Sequence, residues 1–298
     1  MKKSEINSIR KSRSKGWFYN NNEYFNGDDP STFLEEEREP IRDNSSFFTN
    51  LGIEFYLKEK TSLILSGFFR DRGGENETKN DIKELDVYES VLSQSKRVED
   101  ETDDDVSYQF SANFDSEIDD KGQKITVVAQ YEKSKEDENG SVENQVLFPD
   151  VSVPNFESTK QLEDQTRSLL QADYVLPIDK NTQFELGYRG SFLSQETDYE
   201  VAYLDEGIYR VDANLSNVLL YKQYVNAAYT QYGKKVDKFS FLFGLRMENS
   251  NITINQKTTS DYNLKKYTDW FPTINLSYEF DESKSATVGY SRRLRRPW

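Results

Sequence analysis

The feature that most constrains this chain is a recurring pair of roughly ten-residue stretches in which apolar and polar residues alternate, each pair closed by a short polar turn and followed by a long acidic interval. In an extended strand successive side chains point to opposite faces, so alternation makes one greasy face and one wet face. Phe239, Phe241, Phe243, Leu245 and Met247 alternate with Ser240, Leu242, Gly244 and Arg246. Phe184, Leu186, Tyr188, Gly190 and Phe192 alternate with Glu185, Gly187, Arg189 and Ser191. Ile125, Val127, Ala129 and Tyr131 do the same against Thr126, Val128, Gln130 and Glu132. The pattern predicts an all-β fold, an antiparallel up-and-down transmembrane β-barrel.

Only 35% of the residues are hydrophobic and the mean hydropathy is -0.86, values that on their own suggest a soluble or disordered chain. Yet 19 Tyr and 19 Phe make the chain 14% aromatic, which a disordered chain is not. Half of each barrel strand faces lipid and half a polar lumen, so averaging along the sequence hides the membrane signal. The sequence has no run of apolar residues long enough for a transmembrane helix, a test that a barrel survives because its backbone groups pair between strands.

The residue types that are missing narrow the chemistry. With 0 Cys there is no disulfide framework and no thiolate metal site, and with 0 His the commonest general base and metal ligand are gone. No nucleophile with a matching base, phosphate-binding glycine loop or metal-ligand spacing is visible, so neither enzyme activity nor a cofactor is expected. A net charge of -15 argues against nucleic acid as a partner.

About eleven strands are expected, a ragged first one at Gly16–Phe25 followed by five pairs. The pairs are Phe47–Leu57 with Thr61–Arg70, Val106–Ile118 with Gln123–Lys133, Gln165–Leu176 with Thr182–Phe192, Leu219–Tyr232 with Lys238–Asn249, and Tyr267–Phe280 with Ala286–Arg292. Short turns such as Asp119–Gly122 and Pro177–Asn181 belong on the periplasmic side. The long intervals Asp71–Asp105, Ser134–Asp164, Leu193–Asn217 and Ser250–Lys266 read as extracellular loops. Within the third, Tyr199–Leu204 and Ile208–Val211 suggest a projecting hairpin. Met1–Gly16 lacks the apolar core of a secretion signal, so an export signal is expected upstream.

The candidate functional residues are polar side chains at wet positions of these strands: Glu185, Arg189, Arg246, Glu248, Asn275 and Glu279, read as lumen-facing. They could line a substrate path, or simply keep a polar lumen solvated. Tyr131, Tyr232, Trp270 and Tyr278, near strand ends, read as interfacial girdle residues rather than ligand platforms. The acidic runs Glu99–Asp105 and Glu136–Glu138 lack calcium-loop spacing and read as solvated loop. The arginines at 292, 293, 295 and 296 belong at the outer rim, beside lumen acids or lipid phosphates.

Two blocks carry a family resemblance. SNVLLYKQYVNAAYTQYGKKVDKFSFLFGLRMENSNI at Ser216–Ile252, with Gly244-Leu245-Arg246-Met247-Glu248 on its second strand, resembles the mid-barrel region of TonB-dependent receptors of the outer-membrane β-barrel protein family. Tyr267–Trp298, with YTDWFPTINLSYEF and VGYSRRLRRPW around a DESKS turn, is similar to the same family. The resemblance implies a barrel of about 22 strands plugged by an N-terminal globular domain. Residues 1–298 would supply about 10–11 of those strands, with the plug and the other strands absent. Pro297 and the arginines before it break the alternation of a closing strand, so a fragment or truncated product is expected, with an open or poorly closed sheet. The resemblance further implies the cell outer membrane of a Gram-negative bacterium and energised uptake of a siderophore, cobalamin, glycan or peptide. Its implied partners are outer-membrane lipid, TonB through the plug, and a surface substrate-binding lipoprotein. Two alternatives remain, a structural or adhesive barrel that displays acidic loops without transport, and a soluble β-sandwich.

Overall fold

The computed structural model describes residues 1–26, 29–281 and 283–294. They form one antiparallel sheet of 13 strands. In chain order these are β1 (Lys2–Lys15), β2 (Phe18–Asn26), β3 (Asp29–Lys58), β4 (Thr61–Leu85), β5 (Val91–Glu117), β6 (Lys124–Phe148) and β7 (Asn155–Asp179). They continue with β8 (Thr182–Asp205), β9 (Ile208–Val211), β10 (Asn217–Val236), β11 (Phe239–Gln256), β12 (Asp261–Asp281) and β13 (Lys284–Ser291). Apart from β2 and β9, each strand pairs with the next in sequence, and the main path β1-β3-β4-β5-β6-β7-β8-β10-β11-β12-β13 contains eleven of them. Strands β1 and β2 both pair with β3 and together act as one interrupted first stave, while β9 folds back on β8 as a small hairpin. Among the described residues the sheet is open, with β1 and β13 at its two edges.

The lower turns are built by local side-chain chemistry. Asp119 Oδ1 accepts the backbone N–H groups of Lys121 and Gln123, both at 3.0 Å. Asp179 does the same for Asn181 at 2.8 Å and Asp281 for Ser283 at 2.9 Å. An aspartate that bonds the chain two residues ahead mimics a backbone turn and reverses a strand in few residues. Gly122 completes its turn at a φ of 89°, where a Cβ is strained.

Register then fixes the two faces, because residues directly opposite in adjacent strands share a face. Phe184 opposes Leu176 and Tyr232, Tyr232 opposes Phe243, Phe243 opposes Ile274, and Ile274 opposes Tyr290. On the earlier strands the same face carries Phe55, Leu63, Phe114, Val127 and Ala172. It is a wide apolar surface open to its surroundings, with Leu186 52% and Phe110 59% exposed. A soluble sandwich would cover such a face with a second layer, and this sheet has none among the described residues.

The inclination of the strands follows from the same ladder. Passing perpendicular to the strands from Thr61, the first residue of β4, the pairings run through Ser116, Ile125, Tyr174, Leu186, Thr230 and Leu245 to Pro272, seven strand spacings away and nine residues above the end of β12 at Asp281. Nine residues at about 3.3 Å against seven spacings of about 4.8 Å give a tilt of about 40°, within the range of outer-membrane barrels. The apolar run Phe184–Phe192 then covers about 26 Å along the strand and about 20 Å of depth, close to the ~25 Å lipid band of such barrels.

Aromatic pairs mark both rims of the band. Phe47 and Phe69 (centroids 6.3 Å apart), Tyr108 and Tyr131 (6.5 Å) and Phe192 and Tyr224 (5.7 Å) lie along the upper edge. Phe239 with Phe241 and Tyr278 with Phe280 lie along the lower one. Tyr131, Trp270 and Tyr278 sit on the apolar face at rim positions, the placement of girdle residues, whereas Tyr232 shares that face but lies opposite Phe243, inside the band.

Three sequence expectations need correction. The interval Leu193–Asn217 is loop only at 206–207 and 212–216 and Ser250–Lys266 only at 257–260, because β8 to β12 extend into them, and the intervals Asp71–Asp105 and Ser134–Asp164 are not loops either. Strands β4 to β7 continue through them in unbroken pairing, leaving connections only at 86–90 and 149–154. Both faces meet water above the membrane, so polarity stops alternating while the backbone ladder persists, aided by cross-strand pairs such as Arg70–Asp105 (2.6 Å) and Asn76–Glu101 (2.8 Å). The acidic runs Glu99–Asp105 and Glu136–Glu138 are accordingly strand, not solvated loop. The first stave begins at Lys2, not Gly16, and its register carries the apolar face onto Lys3, Glu5 and Asn7. A Lys near the bilayer midplane costs about 2–4 kcal/mol, so the outer face of β1 is unlike that of every later stave. Arg295, Arg296, Pro297, Trp298 and turn residue Glu282 lie outside the described residues.

The faces can be tested by substitution in the intact barrel. Phe243→Arg, at mid-band on the apolar face, is expected to cost about 2–4 kcal/mol, whereas Asn275→Arg on the opposite face is expected to cost under about 1 kcal/mol. Denaturant titration in lipid vesicles measures both, and equal costs would reverse the assignment of the faces.

Candidate lumen-lining site

The two most deeply buried side chains, Ser250 and Ala227, lie on the polar face, and with Phe271 and Glu248 they form a buried group on β10 to β12. Ser250 is 0% exposed, Ala227 1%, and Phe271 and Glu248 8% each. Register rows explain how they meet. One row runs Gln171, Arg189, Ala227, Glu248, Asp269, and the next runs Asp173, Gly187, Tyr229, Arg246, Phe271. Large polar side chains alternate with Ala227 and Gly187, which leave room for their neighbours to lie flat.

Gly187 is the sharpest case. A Cβ built there would overlap the Tyr229 ring, which lies across it so that the phenol O–H donates to Asp173 two strands away. The other face of the network is cationic. The Arg246 guanidinium stands 5.3 Å from the Tyr229 ring centroid, and its Nε donates to Glu248 Oε1 at 2.7 Å. Arg189 donates to Gln171 Oε1 at 3.1 Å, and Gln171 Nε2 donates in turn to Asp173 Oδ2 at 2.7 Å. At the next strand Arg292 pairs with Asp269 at 3.4 Å, stands 5.7 Å from the Phe271 ring and donates to the Trp270 carbonyl at 3.1 Å. Strands β7, β8, β10 and β11 are thus tied to one another, and β12 to the C-terminal flank of β13, by charge-assisted bonds and cation–π contacts, which are strong where water is partly excluded.

All six residues singled out in the sequence occupy the polar face. Arg189, Arg246 and Glu248 enter this network directly. Glu185 lies one row lower, accepting from Gln183 at 2.6 Å and Gln231 at 3.4 Å. Asn275 stands opposite Leu242, level with the middle of the apolar band, and Glu279 lies apart near the lower rim, where it holds Lys235 Nζ at 2.7 Å. Sequence reading missed Asp173, Tyr229 and Gly187 as a unit. The available signal was a glycine at a wet position of an otherwise full strand, but which tyrosine fills it depends on a register between β8 and β10 that local pattern does not give.

Higher on the same face, above the apolar band, Asp105, Glu136 and Glu163 form one row, and Asp103 and Glu138 another. Arg70 and Arg72 flank them, 2.6 Å from Asp105 and 3.6 Å from Asp103. Burial holds the carboxyls of Asp103, Glu136 and Glu138 above the usual range, and neighbouring acids add to it, with Arg72 opposing the rise at Asp103. The wall is acid-rich and partly shielded from water.

The chain belongs to the outer membrane protein beta-barrel family, whose model matches residues 116–298. It is therefore a protein of the Gram-negative outer membrane. No curated protein sequence matches it. Among solved structures it is similar to the unliganded ferric citrate transporter FecA, with TM-score 0.45 and 10% identity over 94% of this chain and 43% of that one. It is also similar to the siderophore receptor PiuA from Acinetobacter baumannii, with TM-score 0.44 and 9% identity over 95% of this chain and 48% of that one. The transport unit of the autotransporter AIDA-I from Escherichia coli gives TM-score 0.33 and 11% identity over 97% of this chain and 84% of that one. The chain spans less than half the length of FecA and PiuA.

Two measurements check the site. Gly187→Val should displace Tyr229 and destabilise the barrel, whereas the same change in a Tyr229→Ala background should cost little, giving a coupling of about 1–3 kcal/mol in a double-mutant cycle. Additive effects would mean that the ring does not lie over Gly187. The second measurement concerns pH. The raised carboxyls bind protons more tightly folded than unfolded, so their stabilisation is complete below the unfolded value of about 4 and is lost as pH rises through the folded values. Amide exchange in 99–105 and 134–140, corrected for intrinsic rate, should be slower near about pH 4.5 than near about pH 7. Glu136→Gln should flatten that difference, and an unchanged profile in the parent protein would remove the shielded wall.

Proposed function

We propose that these strands form part of the barrel wall of a TonB-dependent receptor that imports a bulky nutrient across the outer membrane, acting by transport rather than catalysis. The observation that carries this reading is the fixed, charged lining at Asp173, Arg189, Arg246, Glu248, Asp269 and Arg292, set back to back with a lipid-facing surface. An inner wall of opposed charges held in place, not free in water, suits a lumen occupied by a polar folded domain that must be released and re-seated. The motif Gly244-Leu245-Arg246-Met247-Glu248 supports it, since Arg246 and Glu248 are both members of the lining network. On this reading Glu185, Asn275 and Glu279 extend the lining toward the periplasm. TonB would act through a plug domain, and a surface lipoprotein could hand over cargo above.

A second reading, a surface-display barrel without transport, draws on the long paired extensions, with β3 reaching 30 residues. Growth separates the two. Cells dependent on this protein for a limiting iron chelate, cobalamin, glycan or peptide should lose uptake when the proton gradient is collapsed or TonB is removed, and Arg246→Ala with Glu248→Ala should reduce uptake without reducing surface abundance. Cargo entry that is indifferent to energy, or no cargo entry under any limitation, would favour display.

A further inference from the structure

Far above the apolar band, the outward face of the extension carries a feature that the transport reading does not use. Trp17 and Tyr19 stand with ring planes 10° from parallel and centroids 6.4 Å apart. Their polar edges are committed: Trp17 Nε1 donates to Glu37 at 2.6 Å and Tyr19 O–H donates to Glu35 at 2.8 Å. The rings remain 60% and 49% exposed, so their faces are what they offer. Beside them lies a cleft of about 460 Å³ lined by Asn21, Phe33, Glu35, Lys83, Leu85, Val87, Glu89 and Val91, with Glu35 common to both features.

The lining selects a ligand class. Phe33, Leu85, Val87 and Val91 supply apolar surface, while Glu35 and Glu89 accept, Lys83 donates and Asn21 does both. An anion meets two carboxylates, a cation meets Lys83, and an apolar ligand would strip water from all of these groups. A neutral polyol satisfies them together, laying C–H faces on the rings and apolar side chains while its hydroxyls bridge acceptors and donors. Position narrows the source. Phe33 lies 14 residues beyond Phe47, the last band residue of β3, or about 46 Å along the strand, on the side that faces away from the lumen lining.

We propose that the Trp17–Tyr19 pair and the adjoining cleft bind sugar residues of the cell's own surface polysaccharide, anchoring the extension in that layer. The site is independent of the transport reading. The test uses the full protein in detergent with every other tryptophan changed to Phe, Trp270 and Trp298 of this chain among them, which leaves Trp17 as the reporter. Polysaccharide released from the same cells should change Trp17 fluorescence saturably. Because Trp17→Ala removes the reporter, affinities of variants are measured by calorimetry. That variant should bind about tenfold more weakly, and Tyr19→Phe, which keeps the ring, under about threefold more weakly. Unchanged protease cleavage at 86–90 verifies that the variants fold. No saturable binding, undiminished binding by Trp17→Ala, or preference for a lysine-rich peptide would overturn the site. Equal binding of unrelated neutral glucans would overturn the assignment to the cell's own polysaccharide.

Discussion

The structure depends on one constraint: a backbone that crosses hydrocarbon must pair every N–H and C=O with its own kind, because lipid offers no substitute. That requirement makes the hydrogen-bond ladder continuous from β3 to β13, and the continuous ladder locks every side chain to one of two faces. A slip of one residue anywhere would put Arg246 in lipid and Phe243 in the lumen. The about 40° tilt is a consequence of the same register, since each hairpin begins lower along the ladder than the one before it.

The polar face illustrates how a wall can be both wet and ordered. Gly187 and Ala227 provide no side-chain bulk, so Tyr229 can reach Asp173 and the arginines of neighbouring strands can settle against Glu248 and Asp269. Each bond is modest alone, and shared partners make them cooperative. Removing one member would leave a charge with reduced solvation and a missing partner, which costs more than the pair contributes.

Membrane-level strands were legible in the sequence because lipid on one side and water on the other impose alternation. Phe239–Met247 and Phe184–Phe192 fall on their faces as the pattern indicated. The same signal vanishes above the rim, which is why Asp71–Asp105 read as a loop although Arg72 and Asp103 pair across a ladder there. Strand β1 was illegible for a related reason: KKSEINSIRKSRSK has no apolar face, and its strand state comes from pairing with β3. The six candidate residues were found as wet positions. Their grouping was not, because three of them meet through Tyr229, Asp173 and Gln171, whose relation is set only by register.

The most direct test of the two faces uses a barrel cleared of any cysteine outside this chain, which itself has none. Single cysteines placed in turn at 239 to 248 of the intact barrel can be probed in vesicles with a lipid-soluble and a water-soluble maleimide. Odd positions should react with the lipid-soluble reagent and resist the other, and even positions should do the reverse, with a change at every residue. Reactivity that does not alternate, or that alternates with the opposite phase, would contradict the assignment of Phe243 to lipid and Arg246 to the lumen.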